Sequence, residues 1–312
     1  YVTTSNAATN QFDITDDDAG TFSNGAPNVI NFSSVENLTG GNDTDNFVFE
    51  DGDSISGTIN GGMGDDTLDF TAYMAGNSVN LELDRVVSIE EARGGADSDT
   101  ITGANVATMF NVTDADQGNV DGTLSFFFFE NLTGGSADDT FTFADIGTLS
   151  GGVDGGGASS GNSLVLSDDP DTVTLSSLSL TTGFSGSVVD DMPSAVTTFA
   201  NINSIDSAGM SDELIGLNAT ANWTLNDGAS DLYQSGGRSL TIDNFETYSG
   251  GSSADSFAIN GSQSIDLNGG AGNDLFAFAT GASHTSIIDG GSETDTLDFV
   301  NGAPAEAIAL SA

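Results

Sequence analysis

The sequence predicts an all-β chain folded as a parallel β-solenoid (a β-helix), with coils of about 20 residues and glycine–aspartate turns stacked on one edge. Three observations carry that expectation. A turn phrase of two glycines, an aspartate a few residues on and an alternating apolar strand occurs seven times: GGNDTDNFVF from Gly40, GGMGDDTLDF from Gly61, GGADSDTITG from Gly94, GGSADDTFTF from Gly134, GGSSADSFAI from Gly250, GGAGNDLFAF from Gly269 and GGSETDTLDF from Gly290. Its aspartates are evenly spaced, with 21 residues from Asp45 to Asp66, 19 from Asp255 to Asp274 and 21 from Asp274 to Asp295. Apolar residues alternate with polar ones, and no window sustains the i, i+3, i+4, i+7 pattern of a helix. A repeat near 20 residues is too short for a βαβ unit, which needs roughly 30, and suits one solenoid coil of two or three short strands.

The elements follow in order. QFDITDDDAGTF from Gln11 and NVINF from Asn28 read as strand, acidic turn, strand. FSSVENLTGGNDTDNFVF (Phe32 to Phe49) joins a strand to the first glycine turn and a second strand, and the segment to Phe70 repeats the arrangement. A longer period overlies the short one. FDIT at Phe12 returns as FNVT at Phe110 and WTLN at Trp223, VENLTGG at Val35 returns as FENLTGG at Phe129, and FETYSGG at Phe245 is a weaker copy. VSIEEARGGADSDTITG (Val87 to Gly103) matches INSIDSAGMSDELIG (Ile202 to Gly216). The chain therefore reads as one continuous solenoid, 1–312, of imperfect super-repeats at about 1–108, 109–221 and 222–312. The Ser/Thr-rich stretch near 176–198, with Pro193, reads as an irregular loop. In SFFFFENL (Ser125 to Leu132), strand alternation places Phe127 and Phe129 on one face and Phe126 and Phe128 on the other.

Charge narrows the function. The formal net charge is −44, from 47 acidic residues against Arg85, Arg93 and Arg238. Such a surface repels nucleic acid and anionic lipid, so neither a nucleic-acid partner nor direct membrane insertion is expected. Like charges at this density oppose compaction unless cations or high salt screen them. Saline adaptation and metal binding both account for the acidity, but only metal binding explains aspartates at one fixed place in a repeat. With 20 Phe and 37% hydrophobic residues the chain is too apolar for a disordered linker, and with no Cys it has neither disulfides nor thiolate metal sites. It opens at Tyr1 without a leader pattern, and we expect a mature form or part of a longer polypeptide.

The turns carry the candidate chemistry. Calcium takes six to eight oxygens from carboxylates and carbonyls, and a glycine turn directs carbonyls to one point beside an aspartate. The expected metal residues are Asp45, Asp66, Asp99, Asp139, Asp212, Asp255, Asp274 and Asp295 with the turn glycines Gly40, Gly61, Gly94, Gly134, Gly250, Gly269 and Gly290. Several Ca2+ ions are expected between adjacent coils. Asp43, Asp65, Asp97 and Asp138 stand beside the turns as further ligands or solvated surface. Ordinary Asx-turn aspartates would give a similar local pattern. GGGASSGNSL from Gly155 reads as a degenerate turn with Asn162 in the aspartate place. The DxDxxG at Asp114 to Gly118 lacks the downstream glutamate of a full calcium loop.

GGMGDDTLD from Gly61 and GGAGNDLFA from Gly269 closely match GGxGxDxLx, and in this the chain resembles the RTX (hemolysin-type) calcium-binding repeats. The ENLTGG and DTLDF phrases resemble the strand-repeat regions of giant bacterial extracellular, adhesin-like proteins. RTX repeats recur every nine residues, whereas here the phrase appears once per coil. The resemblance implies export to the extracellular space or bacterial cell surface, calcium-dependent folding, and a spacer or adhesive role.

No enzyme is expected. β-Helix enzymes acting on acidic polysaccharides need basic residues near clustered carboxylates, while this chain has no Lys and a single His284 in a turn. The expectation is a calcium-stabilised structural repeat region, a rigid spacer or fibre segment. The alternative is a calcium-dependent adhesive module binding a glycan or cell surface through side loops, with Trp223, Tyr233 and Tyr248 as stacking candidates. End-to-end or lateral self-association is a further expectation, since solenoid ends need caps.

Overall fold

The computed structural model describes residues 2–3, 10–25, 29–80, 85–157, 161–190 and 196–299. Among them the elements are all strands, most of them paired in parallel and in register across several sheets. The chain divides into two compact units, Tyr1–Gly157 and Ala158–Ala312.

In the first unit, strands stack into parallel columns. One runs through Val2–Thr3, Leu38–Thr39, Ile59–Asn60 and Val86–Val87. A second runs through Asn10–Asp16, Asp45–Phe49, Thr67–Asp69, Glu91–Arg93 and Leu124–Phe127. A third links Ser78–Asn80, Thr100–Thr102, Asn131–Thr133 and Gly152–Asp154. A fourth pairs Met109–Asp114 with Thr140–Phe143. The second unit has columns through Ser163–Val165, Ser204–Asp206 and Arg238–Asp243; through Asp171–Leu178, Glu213–Ile215, Thr247–Ser249, Asp266–Asn268 and Ile288–Asp289; and through Ala221–Leu225, Ser256–Ile259, Leu275–Phe278 and Thr296–Asp298.

Side chains alternate across each strand, so one set fills the interior. Because pairing is parallel and in register, like residues lie above one another. Phe12 stacks on Phe47 at 4.7 Å, Phe110 on Phe141 at 4.9 Å, Trp223 on Phe257 at 5.4 Å and Phe257 on Phe276 at 4.9 Å. Such offset rings add about 0.5–1.5 kcal/mol per pair beyond the area they bury.

A single regular coil near 20 residues does not hold. Four three-stranded antiparallel meanders interrupt the stacking, at Asn10–Asp16/Ala19–Ser23/Ile30–Ser33, Met109–Asp114/Gln117–Val120/Leu124–Phe127, Asp171–Leu178/Phe184–Asp190/Val196–Ile202 and Ala221–Leu225/Asp231–Ser235/Arg238–Asp243. Coil length follows from them. The step is 21 residues from Asp45 to Asp66 and 22 from Asn77 to Asp99, but 35 from Asn10 to Asp45, 31 from Thr108 to Asp139, 41 from Asp171 to Asp212 and 34 from Ala221 to Asp255. Each of these long steps spans a meander. Three of the meanders also explain the super-repeat, because FDIT, FNVT and WTLN begin within the first strands of the first, second and fourth. Within its unit a meander shifts the stack sideways: Met109–Asp114 opens a column while Leu124–Phe127, two strands on, is the last of another.

Two local expectations change accordingly. The 176–198 stretch, read as an irregular loop, holds paired strands of the third meander, with 191–195 outside the described residues. In the phenylalanine run, Phe126 and Phe129 are both fully buried and Phe128 is 57% exposed. Phe128 lies at φ 62, and this left-handed residue breaks the alternation.

Candidate metal-binding turns and the carboxylate ladder

The eight turn aspartates do not form one row. Asp45 begins and Asp66 precedes strands of one column, Asp99, Asp139 and Asp212 each precede a strand of a different column, and Asp255, Asp274 and Asp295 precede stacked strands of another. Sideways shifts at the meanders break the single edge into short ladders. Seven of the eight are buried, and Asp295 on the last described coil is half-buried.

Each carboxylate is held by the coil before it. Asp66 Oδ1 accepts the Asp45 N–H at 2.8 Å, Asp274 Oδ1 that of Asp255 at 2.8 Å, and Asp295 Oδ1 that of Asp274 at 3.0 Å. The same bond joins Asp99 to Asn77 (2.6 Å), Asp139 to Thr108 (2.8 Å), Asp212 to Asp171 (2.7 Å) and Asp255 to Ala221 (2.7 Å). Asp45 Oδ1 takes the Asn10 side-chain amide at 2.6 Å. Charge-assisted bonds of this kind are roughly twice as strong as neutral ones. They tie turn to turn across 19 to 41 residues of chain.

The second oxygen divides the turns into two classes. In the closed class Oδ2 accepts the N–H of the second glycine: Asp45 from Gly41 (2.7 Å), Asp99 from Gly95 (2.6 Å), Asp139 from Gly135 (2.8 Å) and Asp255 from Gly251 (3.0 Å). These are Asx-type closures with both oxygens engaged. In the open class, Asp66 and Asp274, Oδ2 is buried and receives no hydrogen bond. The backbone path explains the difference. Gly62 and Gly64 lie at φ 105 and 131, and Gly270 and Gly272 at 89 and 129, conformations that only glycine adopts at little cost. Asp212 Oδ2 also lacks a donor by geometry, as does its neighbour Ser207 Oγ, which still lies near enough to favour the charged carboxylate.

The first glycine of each phrase is needed for close approach, not for φ. A Cβ on Gly61 would lie 2.3 Å from Asp66 Oδ2 and 2.1 Å from the Ser88 carbonyl, and one on Gly40 2.2 Å from Asp45 Oδ2 and 2.1 Å from the Gly61 carbonyl.

Three residues absent from the expected site complete it. Glu90 Oε2 accepts the Asp66 N–H at 2.9 Å, Glu130 Oε2 the Asp99 N–H at 2.6 Å, and Glu246 Oε2 the Asp212 N–H at 3.0 Å. Each follows a left-handed residue (Ser88, Phe128, Asn244) and a buried apolar one (Ile89, Phe129, Phe245). The repeated apolar–Glu pair in FENLTGG and FETYSGG is the sequence signal for two of them.

Burial sets the electrostatics. It pushes Asp66 up to about 6, reinforced by the charges of Asp45 and Glu90, and Asp255 up to about 6 against the Gly251 and Ala221 amides. It also raises Asp45, Asp99, Asp139, Asp212, Asp274 and Glu130. Burial and stacking thus penalise the bare charge, which favours a bound cation, or a proton at mildly acid pH.

Other expected residues have structural places. Asp65, Asp97 and Asp138 are exposed, while Asp43 Oδ2 is buried without a partner. Asn162 is buried and donates to the Asn201 carbonyl at 3.1 Å; residues 158–160 of its turn lie outside the described residues. Asp116 of DxDxxG clamps Ser150, accepting N–H at 2.7 Å and Oγ–H at 2.9 Å, as Asp18 clamps Ser56. Trp223, Tyr233 and Tyr248 are at most 1% exposed and offer no face to a sugar. Arg93 pairs with Glu91 at 2.5 Å, and His284 Nε2 bonds the Ile265 carbonyl at 2.8 Å.

The aspartates fit calcium unequally. The closed class has no carboxylate oxygen without a donor. The open class presents one such buried oxygen per turn, in a cradle that a Cβ would fill. Among the described residues no group of three or more His, Cys, Asp or Glu converges as a metal cage, so further ligands at an open turn would be backbone carbonyls. Comparison with family models, curated proteins and solved structures finds no match to this chain. Fold and site define a large all-β, repeat-built protein.

Proposed function

We propose that the chain is an irregular parallel β-solenoid, a rigid, non-catalytic segment of a large extracellular or bacterial cell-surface protein, which takes up calcium at its open glycine turns. The carboxylate ladder carries this reading: turns a coil apart are tied by buried, charge-assisted bonds, an arrangement suited to stiffness. Asp66 and Asp274 would hold the ions, since their Oδ2 atoms lack donors and their turns are the two that best resemble the RTX phrase. Calcium would supply positive charge where like carboxylates stack, and carbonyls of the glycine backbone would complete its oxygen shell. The chain's own residues place the carboxylates, keep water out and leave one oxygen of each open turn available.

Circular dichroism and thermal melting in chelator at low salt, followed by calcium titration, test the reading. A cooperative gain of β signal and melting temperature is expected over about 0.1–1 mM calcium, the range of extracellular modules. Matched ionic strength from sodium should give a smaller gain. Equal melting temperatures in chelator, sodium and calcium would remove the metal from the proposal and leave the hydrogen-bonded ladder alone.

A further inference from the structure

The second unit carries a cavity of about 490 Å³ away from the aspartate-bearing glycine turns, walled by Asn226 and Gly228 to Asp231, by Ile242 to Phe245 with Tyr248, and by Gln263 and Ile265. Its phenol and each of its three side-chain amides already donate to the protein, which leaves the Ser230 hydroxyl, able to donate or accept, at the rim. The Tyr248 hydroxyl donates to Asp231 Oδ2 at 2.9 Å, Asn226 Nδ2 to the Ser230 carbonyl at 2.9 Å, Asn244 Nδ2 to Asp206 Oδ1 at 2.6 Å, and Gln263 Nε2 to the Asn260 carbonyl at 3.0 Å. Asp231 is buried, with Oδ1 on the Asn226 N–H at 2.7 Å.

The wall also presents acceptors without donors. Gln263 is 7% exposed, and its Oε1 receives no hydrogen bond from the described residues. The half-buried Asp243 carboxylate receives none either. The half-buried Ile265 and the exposed Ala229 supply an apolar wall, the floor of the cavity. The nearby cation, Arg238, is directed to the Gly183 carbonyl at 3.3 Å. A cavity with unmatched acceptors, negative charge and an apolar floor complements a ligand with many donors, positive charge and a methylene stem.

We infer that this cavity binds an organic cation, the guanidinium or primary ammonium end of a ligand such as an arginine or lysine side chain. A guanidinium brings five N–H donors and an ammonium three, with no acceptor to oppose Asp243 or Gln263 Oε1. The stem lies along Ile265 and Ala229 while the head reaches the Asp243 carboxylate and Gln263 Oε1. A bare metal ion gains nothing from the apolar floor, and a neutral polyol leaves the charge unmatched. The net charge of −44 draws cations to the whole surface, so specificity must come from this donor–acceptor match. The inference is independent of calcium.

The test is amide chemical-shift mapping on ¹⁵N-labelled protein in saturating calcium at physiological salt, where both the metal-bound and the metal-independent readings of the turns leave the chain folded. Arginine amide is the probe and citrulline amide its neutral counterpart. Saturable shifts are expected at Ser230, Asp231, Asp243 and Asn244 with arginine amide only. Asp243→Asn should weaken binding about fivefold, the effect of one partly exposed charge pair. Gln263→Leu should weaken it while the melting temperature monitors folding. Shifts spread evenly over the surface, equal response to citrulline amide, or undiminished binding by Asp243→Asn would each overturn the assignment.

Discussion

The turn at Gly40–Asp45 and the turn stacked on it at Gly61–Asp66 share a phrase and a buried aspartate, and they differ in one hydrogen bond. The first closes on itself through Gly41 N–H, while the second leaves Asp66 Oδ2 without a donor. The pair Gly250–Asp255 and Gly269–Asp274 repeats the difference. In each pair the open turn has glycine at the fourth place, Gly64 or Gly272, where the closed turn has Asp43 or Ser253. Positive φ at the second and fourth places, Gly62 with Gly64 and Gly270 with Gly272, goes with the open turn, where the carboxylate is left for another partner instead of being closed by its own backbone.

The largest effect expected from breaking this comparison is at the first glycine, which both classes need. Gly61→Ala forces a Cβ against the Ser88 carbonyl and the Asp66 carboxylate, and should cost about 3 kcal/mol in denaturant unfolding. Gly52→Ala is the control, since its Cβ meets nothing within 4 Å and only the backbone at φ 89 resists, at about 1–2 kcal/mol.

The aspartates themselves separate the classes. Asp45→Asn turns an amide toward Gly41 N–H and should lose about 2 kcal/mol with or without calcium. Asp66→Asn opposes no donor there and relieves stacked charge, so its stability in chelator should stay within about 1 kcal/mol of the parent while its calcium response falls. Equal losses from the two variants would collapse the distinction.

Acid should sharpen the comparison more gently. Asp66 and Asp255, at about 6 when folded, bind protons there that the unfolded chain, with its ordinary carboxylates, releases. Stability therefore rises as pH falls from about 7 toward 4, and is lost as pH climbs through 6. In chelator at low salt the melting temperature at pH 5 should exceed that at pH 7.5, and calcium should narrow the gap. The smallest effect belongs to Phe128. Equivalent left-handed positions hold Ser34, Ser88 and Asn244, so Phe128→Asn should relieve strain and raise stability by about 1 kcal/mol on thermal melting.

Much of this was legible locally. The offset of four residues from Gly41 to Asp45 is short enough for an Asx closure to show in a sequence window, and so is the alternation of Asp45–Phe49. The super-repeat was visible as FDIT, FNVT and WTLN, but not its meaning, because a meander and a parallel coil use the same period of two. Glu90 escaped notice because its partner, Asp66, is 24 residues away and its glycine-free turn carries no phrase. Tyr233 and Tyr248 looked available for sugar because their packing on Trp223 is a tertiary fact.

The sequence by itself determined an all-β, mostly parallel chain with aspartate-bearing glycine turns, since strand period, glycine backbone freedom and turn closure act over a few residues. Tertiary structure alone decided that the aspartates fall into separate ladders and that glutamates end three of them. It also decided which carboxylate oxygens stay without a donor. Those outcomes depend on what lies one coil away, 19 to 41 residues along the chain, and no local pattern encodes that distance.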